Sequence, residues 1–436
     1  MGGTSIPILT DSGLLDFIPL PLTAYLVHIG FCLSDLFVNI YKSPTLLSMT
    51  WDNYWTTVQQ LVAEFVTTAI ERDRVGGTPK YERDRIRNSG LLKVAIPKTY
   101  GGWELPWHEI LKISREFAKV DSGIAHIYSY HHLGVTIPHL FGSTEQKEKF
   151  YTETINNNWF WCNALNPLDR RATLTRSGDL WLLNGIKSFC SGSKDSDILP
   201  ITAVNQETSE LTVLAIPTLR KGVTIHDDWD NIGQRQTDSG SISFDQVEVF
   251  PLEIFGSRTH SECPFKSVRA CLTQLNLANI YLGIGMGAFE AAREYTQTQT
   301  TPFLNSGVDI ATQDPYILQK YGDMWITLLA AEALVDRAGF ALQAAWEQEW
   351  NLTAQHRGET AIAIAAAKVA AHKVSLDVTN GMFEVMGARS TATKYGFDRY
   401  WRNLRTFTLH DPVEYKIKAI GDWVLNHQIP QPDFYI

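Results

Sequence analysis

A double change of hydrophobic period is the strongest constraint on what this chain can fold into. Between residues 51 and 155 apolar side chains recur three and four apart, as in 55–70 (WTTVQQLVAEFVTTAI) and 107–120 (WHEILKISREFAKV), with a turn at Gly101-Gly102 between them. That spacing places them on one face of a helix. From about 160 to 255 the pattern becomes short β-branched and aromatic runs separated by turn residues: 180–191 (LWLLNGIKSFCS), 198–204 (ILPITAV), 211–217 (LTVLAIP) and 241–250 (SISFDQVEVF). Beyond Phe265 the helical period returns in the long stretches 316–346 and 359–388. The order helices, strands, helices predicts a mainly α fold with a central β domain. We divide it into residues 1–48 as an extension, 49–159 as an N-terminal helical domain, 160–257 as the β domain and 258–436 as a C-terminal helical bundle. No long linker separates these parts, so their shared clefts are where a ligand pocket is expected.

Composition removes several classes of function. The formal net charge is −9 and no Lys/Arg run is long enough to follow a phosphate backbone, so nucleic acid is not an expected partner. The five cysteines, Cys32, Cys162, Cys190, Cys263 and Cys271, show no close pairing, which fits reduced thiols and a cytoplasmic location. Residues 14–41 are apolar but broken by Asp16, Pro19, Pro21 and Asp35, so nothing there reaches the ~20 residues of a membrane span. No charged region precedes them as in a signal peptide. Two readings of residues 1–48 stand side by side: translation starting at Met49, or a disordered or surface-docked extension.

Three features carry less information. Gly283, Gly285 and Gly287 look like a phosphate loop but lie in an apolar helical run without a βαβ unit, so close helix packing is the expectation and a nicotinamide site is not. His131 and His132 are sequence neighbours and so point apart on a helix, which makes no metal pair. His126 and Tyr130 are four apart and share one face.

The motifs with more content come in a fixed order: Leu91 to Pro97 with Tyr100-Gly101-Gly102; Leu183-Asn184-Gly185 with Phe189-Cys190-Ser191-Gly192; Ile232-Gly233-Gln234-Arg235 through Phe244; and Val385-Met386-Gly387-Ala388-Arg389 through Trp401-Arg402-Asn403. This series resembles the acyl-CoA dehydrogenase superfamily over about residues 51–426. The resemblance implies a helical N-terminal domain, a β-barrel-like middle domain and a C-terminal four-helix bundle, with Phe189 flanking a flavin ring and Ser191 near its N5. Dehydrogenases of this superfamily often carry Tyr-Glu-Gly after the position of Arg402, the glutamate being a general base; here the segment is Leu409-His410-Asp411-Pro412.

That segment, with Glu71-Arg72-Asp73-Arg74, Asp227-Asp228-Trp229, Arg235-Gln236-Thr237-Asp238-Ser239-Gly240-Ser241 and Tyr395-Gly396-Phe397-Asp398-Arg399, is similar to the flavin-dependent monooxygenases of the superfamily, in particular the dibenzothiophene monooxygenase and sulfur-acquisition branch. The resemblance implies a two-component enzyme. Reduced FMN (FAD being the other flavin option) is supplied by a separate NAD(P)H:flavin reductase, and O2 reacts through a C4a-hydroperoxide to oxygenate a thioether or aromatic sulfur compound. It also implies a homotetramer. His126 and Tyr130 would form one wall, Asn163 and Ser191 would lie beside the flavin, His410 would hold the peroxide, and Arg389 would contact the flavin phosphate. His126 or Tyr130 would supply the proton, a role that suits His126 best because an imidazole titrates near neutrality. Two positions depart from the branch: Phe407 stands where the dibenzothiophene enzyme has a second histidine, and Thr301 where it has an arginine. An acyl-CoA dehydrogenase with a displaced base and a non-catalytic flavin-binding protein are the alternatives.

Overall fold

The computed structural model describes residues 54–257 and 263–436, so both readings of residues 1–48 lie outside the described residues. The chain enters as four helices, α1 (Tyr54–Phe65), α2 (Ala69–Val75), α3 (Lys80–Ser89) and α4 (Trp107–Val120). The single helix expected over 55–70 breaks after Phe65, in the run Val66-Thr67-Thr68. There the Thr67 hydroxyl donates back to the Glu64 carbonyl at 2.7 Å, a local bond that competes with continuing the helix. Next come α5 (Ser122–Val135), α6 (Ile137–Phe141) and α7 (Thr144–Asn157). Asp121 caps α5 by accepting from the Ile124 N–H at 3.1 Å, and Ser143 with Gln146 forms a reciprocal capping box on α7.

The middle of the chain is one seven-stranded sheet. Its strands are β1 (Thr173–Ser177), β2 (Leu180–Lys187), β3 (Ile198–Asn205), β4 (Leu211–Pro217), β5 (Val223–Ile225), β6 (Ile242–Val249) and β7 (Ile254–Ser257), in the order β5-β6-β2-β1-β3-β4-β7. Strand β1 escapes the sequence pattern because it buries only Leu174, yet it pairs along its whole length with β2. Leu183, Leu199, Ile201, Leu214, Ile242 and Val247 form the core of the sheet. A further cluster, with Val135, Ile137, Phe150, Trp161, Ile198 and Phe255, binds the N-terminal helices to it.

Three long helices follow, α8 (Pro264–Thr298), α9 (Pro315–Glu347) and α10 (Ala354–Met386), then the shorter α11 (Asp398–Thr408) and α12 (Val413–Asn426). The glycine triplet does what its apolar setting suggests. A Cβ at Gly283 would lie 2.4 Å from the Arg115 carbonyl oxygen, one at Gly287 2.0 Å from that of Lys119, and one at Gly285 2.5 Å from the Ser375 hydroxyl. Glycine therefore lets α8 press on α4 on one side and α10 on the other. No helix among the described residues is long and apolar enough to cross a membrane.

Candidate active site

The site is organised by α5, all 14 residues of which are buried. Such a helix can carry polar groups only where neighbours satisfy them or where a ligand is to meet them. His131 belongs to the first kind: one ring nitrogen lies 2.8 Å from the Leu92 carbonyl and the other accepts the Trp161 N–H at 3.1 Å, tying α5 to the sheet. His126 belongs to the second. Both of its ring nitrogens are buried without a hydrogen-bond partner among the described residues.

The four-residue spacing of His126 and Tyr130 brings their rings together, 4.3 Å apart between centroids and 19° from parallel. Phe407 of α11 adds another stacked ring, 4.6 Å from His126. This dry setting corrects one expectation. Burial, reinforced by the nearby His410, pushes the His126 imidazole down to about 3, so it is neutral at physiological pH and cannot act as a near-neutral acid. Burial also drives the Tyr130 phenol well above its ordinary range, which keeps it a hydrogen-bond donor.

His410, partly exposed, follows α11. Its Nδ1 lies 3.0 Å from Asp411 Oδ1. Asp411 is buried and also accepts from the Lys368 ammonium of α10, while Lys416 of α12 lies 3.3 Å from its second oxygen. Burial alone would raise the Asp411 carboxyl, but the His410 hydrogen bond and the two ammonium groups hold it well below the usual carboxylate range. It is therefore ionised and can only accept, so the proton between the two residues sits on His410 Nδ1 and leaves Nε2 as the free position. Lys368, in turn, is brought down to about 8 by burial, against the pull of Asp411, and donates also to Gln274 at 2.6 Å.

The sheet supplies a second group. Asn163 and Ser191 form an isolated antiparallel bridge, the Asn163 N–H donating to the Ser191 carbonyl at 3.1 Å. The Ser191 hydroxyl is 2.8 Å from that of Ser239, which is 2.7 Å from that of Thr237, a buried chain of three hydroxyls. Two residues earlier, Phe189 holds a left-handed backbone (φ 59°) and presents a ring 58% exposed, edge-on to Trp229 at 6.1 Å. A strained, exposed aromatic next to buried hydroxyls suits a planar ligand. The groups are held together through α5: Ile127, beside His126, packs on Gly192, beside Ser191.

Arg389 stands apart. It is exposed at the far end of α10, 3.4 Å from the Thr301 hydroxyl. Met386, where α10 ends, is 18 residues beyond Lys368, about 27 Å at 1.5 Å per residue. Within one chain Arg389 is therefore remote from His410. Sequence reasoning also missed Lys368, Lys416, Ser239 and Tyr435. The last belongs to a C-terminal strap that borders, with His410, Asp411 and Lys416, a cavity of about 630 Å³; its ring meets His410 edge-on at 5.9 Å. The one available signal was a lysine, Lys368, inside the apolar run of α10.

The three segments of this architecture match three domains of one family: acyl-CoA dehydrogenase N-terminal domain over residues 52–158, middle domain over 165–247 and C-terminal domain over 275–415. The chain belongs to the acyl-CoA dehydrogenase family. Within the family it is a flavin-dependent monooxygenase of the sulfur-acquisition branch. It is 47% identical to the probable FMNH2-dependent monooxygenase SfnC of Pseudomonas putida over 379 residues, 86% of this chain and 96% of that protein. It is 43% identical to a dibenzothiophene monooxygenase of Rhodococcus erythropolis over 390 residues, 86% and 93% of the two chains. Among solved structures, methanesulfinate monooxygenase MsuC of Pseudomonas fluorescens superposes with a TM-score of 0.85 at 48% identity, over 87% of this chain and 99% of that one. TdsC of Paenibacillus sp. A11-2, in its complex with FMN and indole, gives 0.85 at 39% identity, over 88% and 100%. The residues of this family member fit a flavin: Phe189 offers an aromatic platform, Ser191 a positioned hydroxyl, and His126 two unpartnered nitrogens.

Proposed function

We propose that this chain is the oxygenase of a two-component system, which receives reduced FMN from a separate NAD(P)H:flavin reductase and oxygenates a small organosulfur compound, a thioether or aromatic sulfur, in the cytoplasm. One oxygen atom of O2 joins the substrate sulfur and the other leaves as water, the two electrons coming from the reduced flavin. Reduced FMN supplies the electron pair that activates oxygen. The chain's own residues exclude water and place hydrogen bonds: Phe189, Ser191 and Asn163 hold the ring edge, and the His126, Tyr130 and Phe407 rings keep the wall dry. His410 Nε2, set by Asp411, and the Tyr130 phenol would offer hydrogen bonds to the reacting oxygen.

The observation that carries this reading is the state of Asp411. A dehydrogenase needs a free carboxylate to remove an α-proton, whereas the acid of this segment is bound by His410, Lys368 and Lys416 and serves to orient an imidazole. Arg389 serves the flavin phosphate of a neighbouring copy in a homotetramer, which accounts for its distance from His410. The exposed apolar residues of α9, Leu318, Trp325, Ile326, Leu329 and Phe340, supply an assembly surface.

The test is to supply the purified chain with FMN, a generic flavin reductase, NADH and oxygen, and to screen thioethers and aromatic sulfur compounds for oxygenated product. His410→Phe is expected to keep fold and FMN binding while releasing hydrogen peroxide in place of product. Unchanged coupling in that variant removes His410 from the mechanism, and bleaching of the oxidised flavin by acyl-CoA without oxygen would restore the dehydrogenase reading.

A further inference from the structure

Five arginines are buried among the described residues. Four have partners: Arg83 pairs with Asp195 and lies near Asp238, Arg115 pairs with Glu332 and Asp336, Arg357 donates to the carbonyls of Ser267 and Ile436, and Arg399 donates to the Gly396 carbonyl and the Tyr400 hydroxyl. The fifth, Arg269 on α8, is 7% exposed and its guanidinium has no hydrogen-bond or ion-pair partner among the described residues. A buried guanidinium without an anion is costly, and proteins keep one where an anion is to arrive.

Its surroundings point to the site just described. α8 packs against α5, and the ionisable group that Arg269 senses is Tyr130. Five residues along α8 from Arg269, Gln274 accepts from the same Lys368 ammonium that binds Asp411, which sets this stretch of α8 beside the His410 segment. Burial brings the Arg269 guanidinium down only to about 10, so it stays charged at neutral pH. Two turns along the same face of α8, Asn276 is fully buried with both side-chain amide atoms unpartnered among the described residues. Asp411, the carboxylate of this region, is already compensated by Lys368 and Lys416, so the local charge left over is positive.

We propose that Arg269 is the anion anchor of the substrate pocket, and that the sulfur compound this enzyme oxygenates carries an oxyanion, as a sulfinate or a carboxylate-bearing thioether does. The planar fork of Arg269 pairs two oxygens of the acid group and Asn276 donates from its amide, leaving the sulfur to face His410 and Tyr130. This inference rests on the oxygenase reading for its consequence, but its test needs no turnover.

The experiment measures equilibrium binding to the full chain loaded with oxidised FMN. The probes are methanesulfinate, (methylthio)acetate and, as the uncharged control, dimethyl sulfide, with wild type, Arg269→Met and Arg269→Lys. Arg269→Met is expected to weaken the preferred anion by about 10- to 100-fold, the loss of a charge-assisted pair, and to leave dimethyl sulfide and FMN within about threefold. Arg269→Lys is expected to recover part of the loss. The tighter of the two anions identifies the acid group. Because Met fills the same space without the unpaired charge, Arg269→Met is also expected to melt at or above the wild-type temperature. A parallel fall in FMN affinity assigns Arg269 to the flavin phosphate and overturns the proposal, as does an equal loss for dimethyl sulfide, no loss for either anion, or a marked drop in melting temperature. Retained, Arg269-dependent anion binding in an enzyme that oxygenates nothing would count against the oxygenase reading alone.

Discussion

The His126 imidazole lies nearly flat against the Phe407 ring, 4.6 Å between centroids and 21° from parallel. In this stack the histidine binds a proton only near pH 3, whereas in the unfolded chain it does so near ~6.5. Between those values the unfolded chain holds more protons than the folded one, so stability falls as pH drops through that window. By pH 5 the loss from this residue is about 2 kcal/mol. Urea unfolding at pH 7 and pH 5 is expected to show a smaller acid loss in His126→Phe than in wild type; an identical loss would show that His126 is not the buried neutral base described.

Asp411 is the hub of a buried charge group. Asp411→Asn leaves Lys368 without its counter-charge and is expected to cost about 3–5 kcal/mol of stability. Adding Lys368→Met removes the stranded ammonium and is expected to restore most of it, so the two changes are strongly non-additive. Denaturant midpoints of the two single variants and the double variant measure this. In the double variant His410 loses its fixed tautomer, and peroxide release is expected to rise even though the fold is recovered.

Arg389 is exposed, and its guanidinium donates to the Thr301 hydroxyl at 3.4 Å. Arg389→Ala is expected to leave the melting temperature within about 1 °C and to weaken FMN about tenfold, as removal of one charge-assisted contact does. Flavin fluorescence titration reads this directly, and unchanged FMN affinity would take Arg389 out of the flavin site.

Gly287→Ala tests the helix contact. In an open helix the change favours folding by up to about 1 kcal/mol. Here the new Cβ would lie 2.0 Å from the Lys119 carbonyl, so a net loss of about 2–3 kcal/mol is expected. A stabilised variant would show that α8 and α4 are not in such close contact.

How much of this was legible beforehand differs by feature, for physical reasons. Helix α4 follows its apolar spacing to the residue, and His126 with Tyr130 met as a four-residue spacing requires, because both facts are local. Strand β1 was missed because one buried leucine in five residues leaves no alternation to read. The Lys368–Asp411 pair joins residues 43 apart and depends on how α10 meets the end of α11, which periodicity cannot encode. The downward shift of the His126 imidazole escapes the sequence for the same reason: Phe407, which helps to dry it, comes from another element. Arg269 carried a faint signal, a cation within the apolar run of α8, but whether it would find a carboxylate could be answered only in three dimensions.

The complete enclosure of α5 bears on how this scaffold diversifies. Each of its 14 residues is buried, so a change of side-chain size anywhere along it strains close-packed surroundings. New substrate preferences must then arise at the periphery of the pocket, on α8, at position 407 or in the C-terminal strap, where one substitution can alter chemistry without dismantling the frame. Related chains that accept different sulfur compounds are expected to agree along α5 and to diverge at those margins.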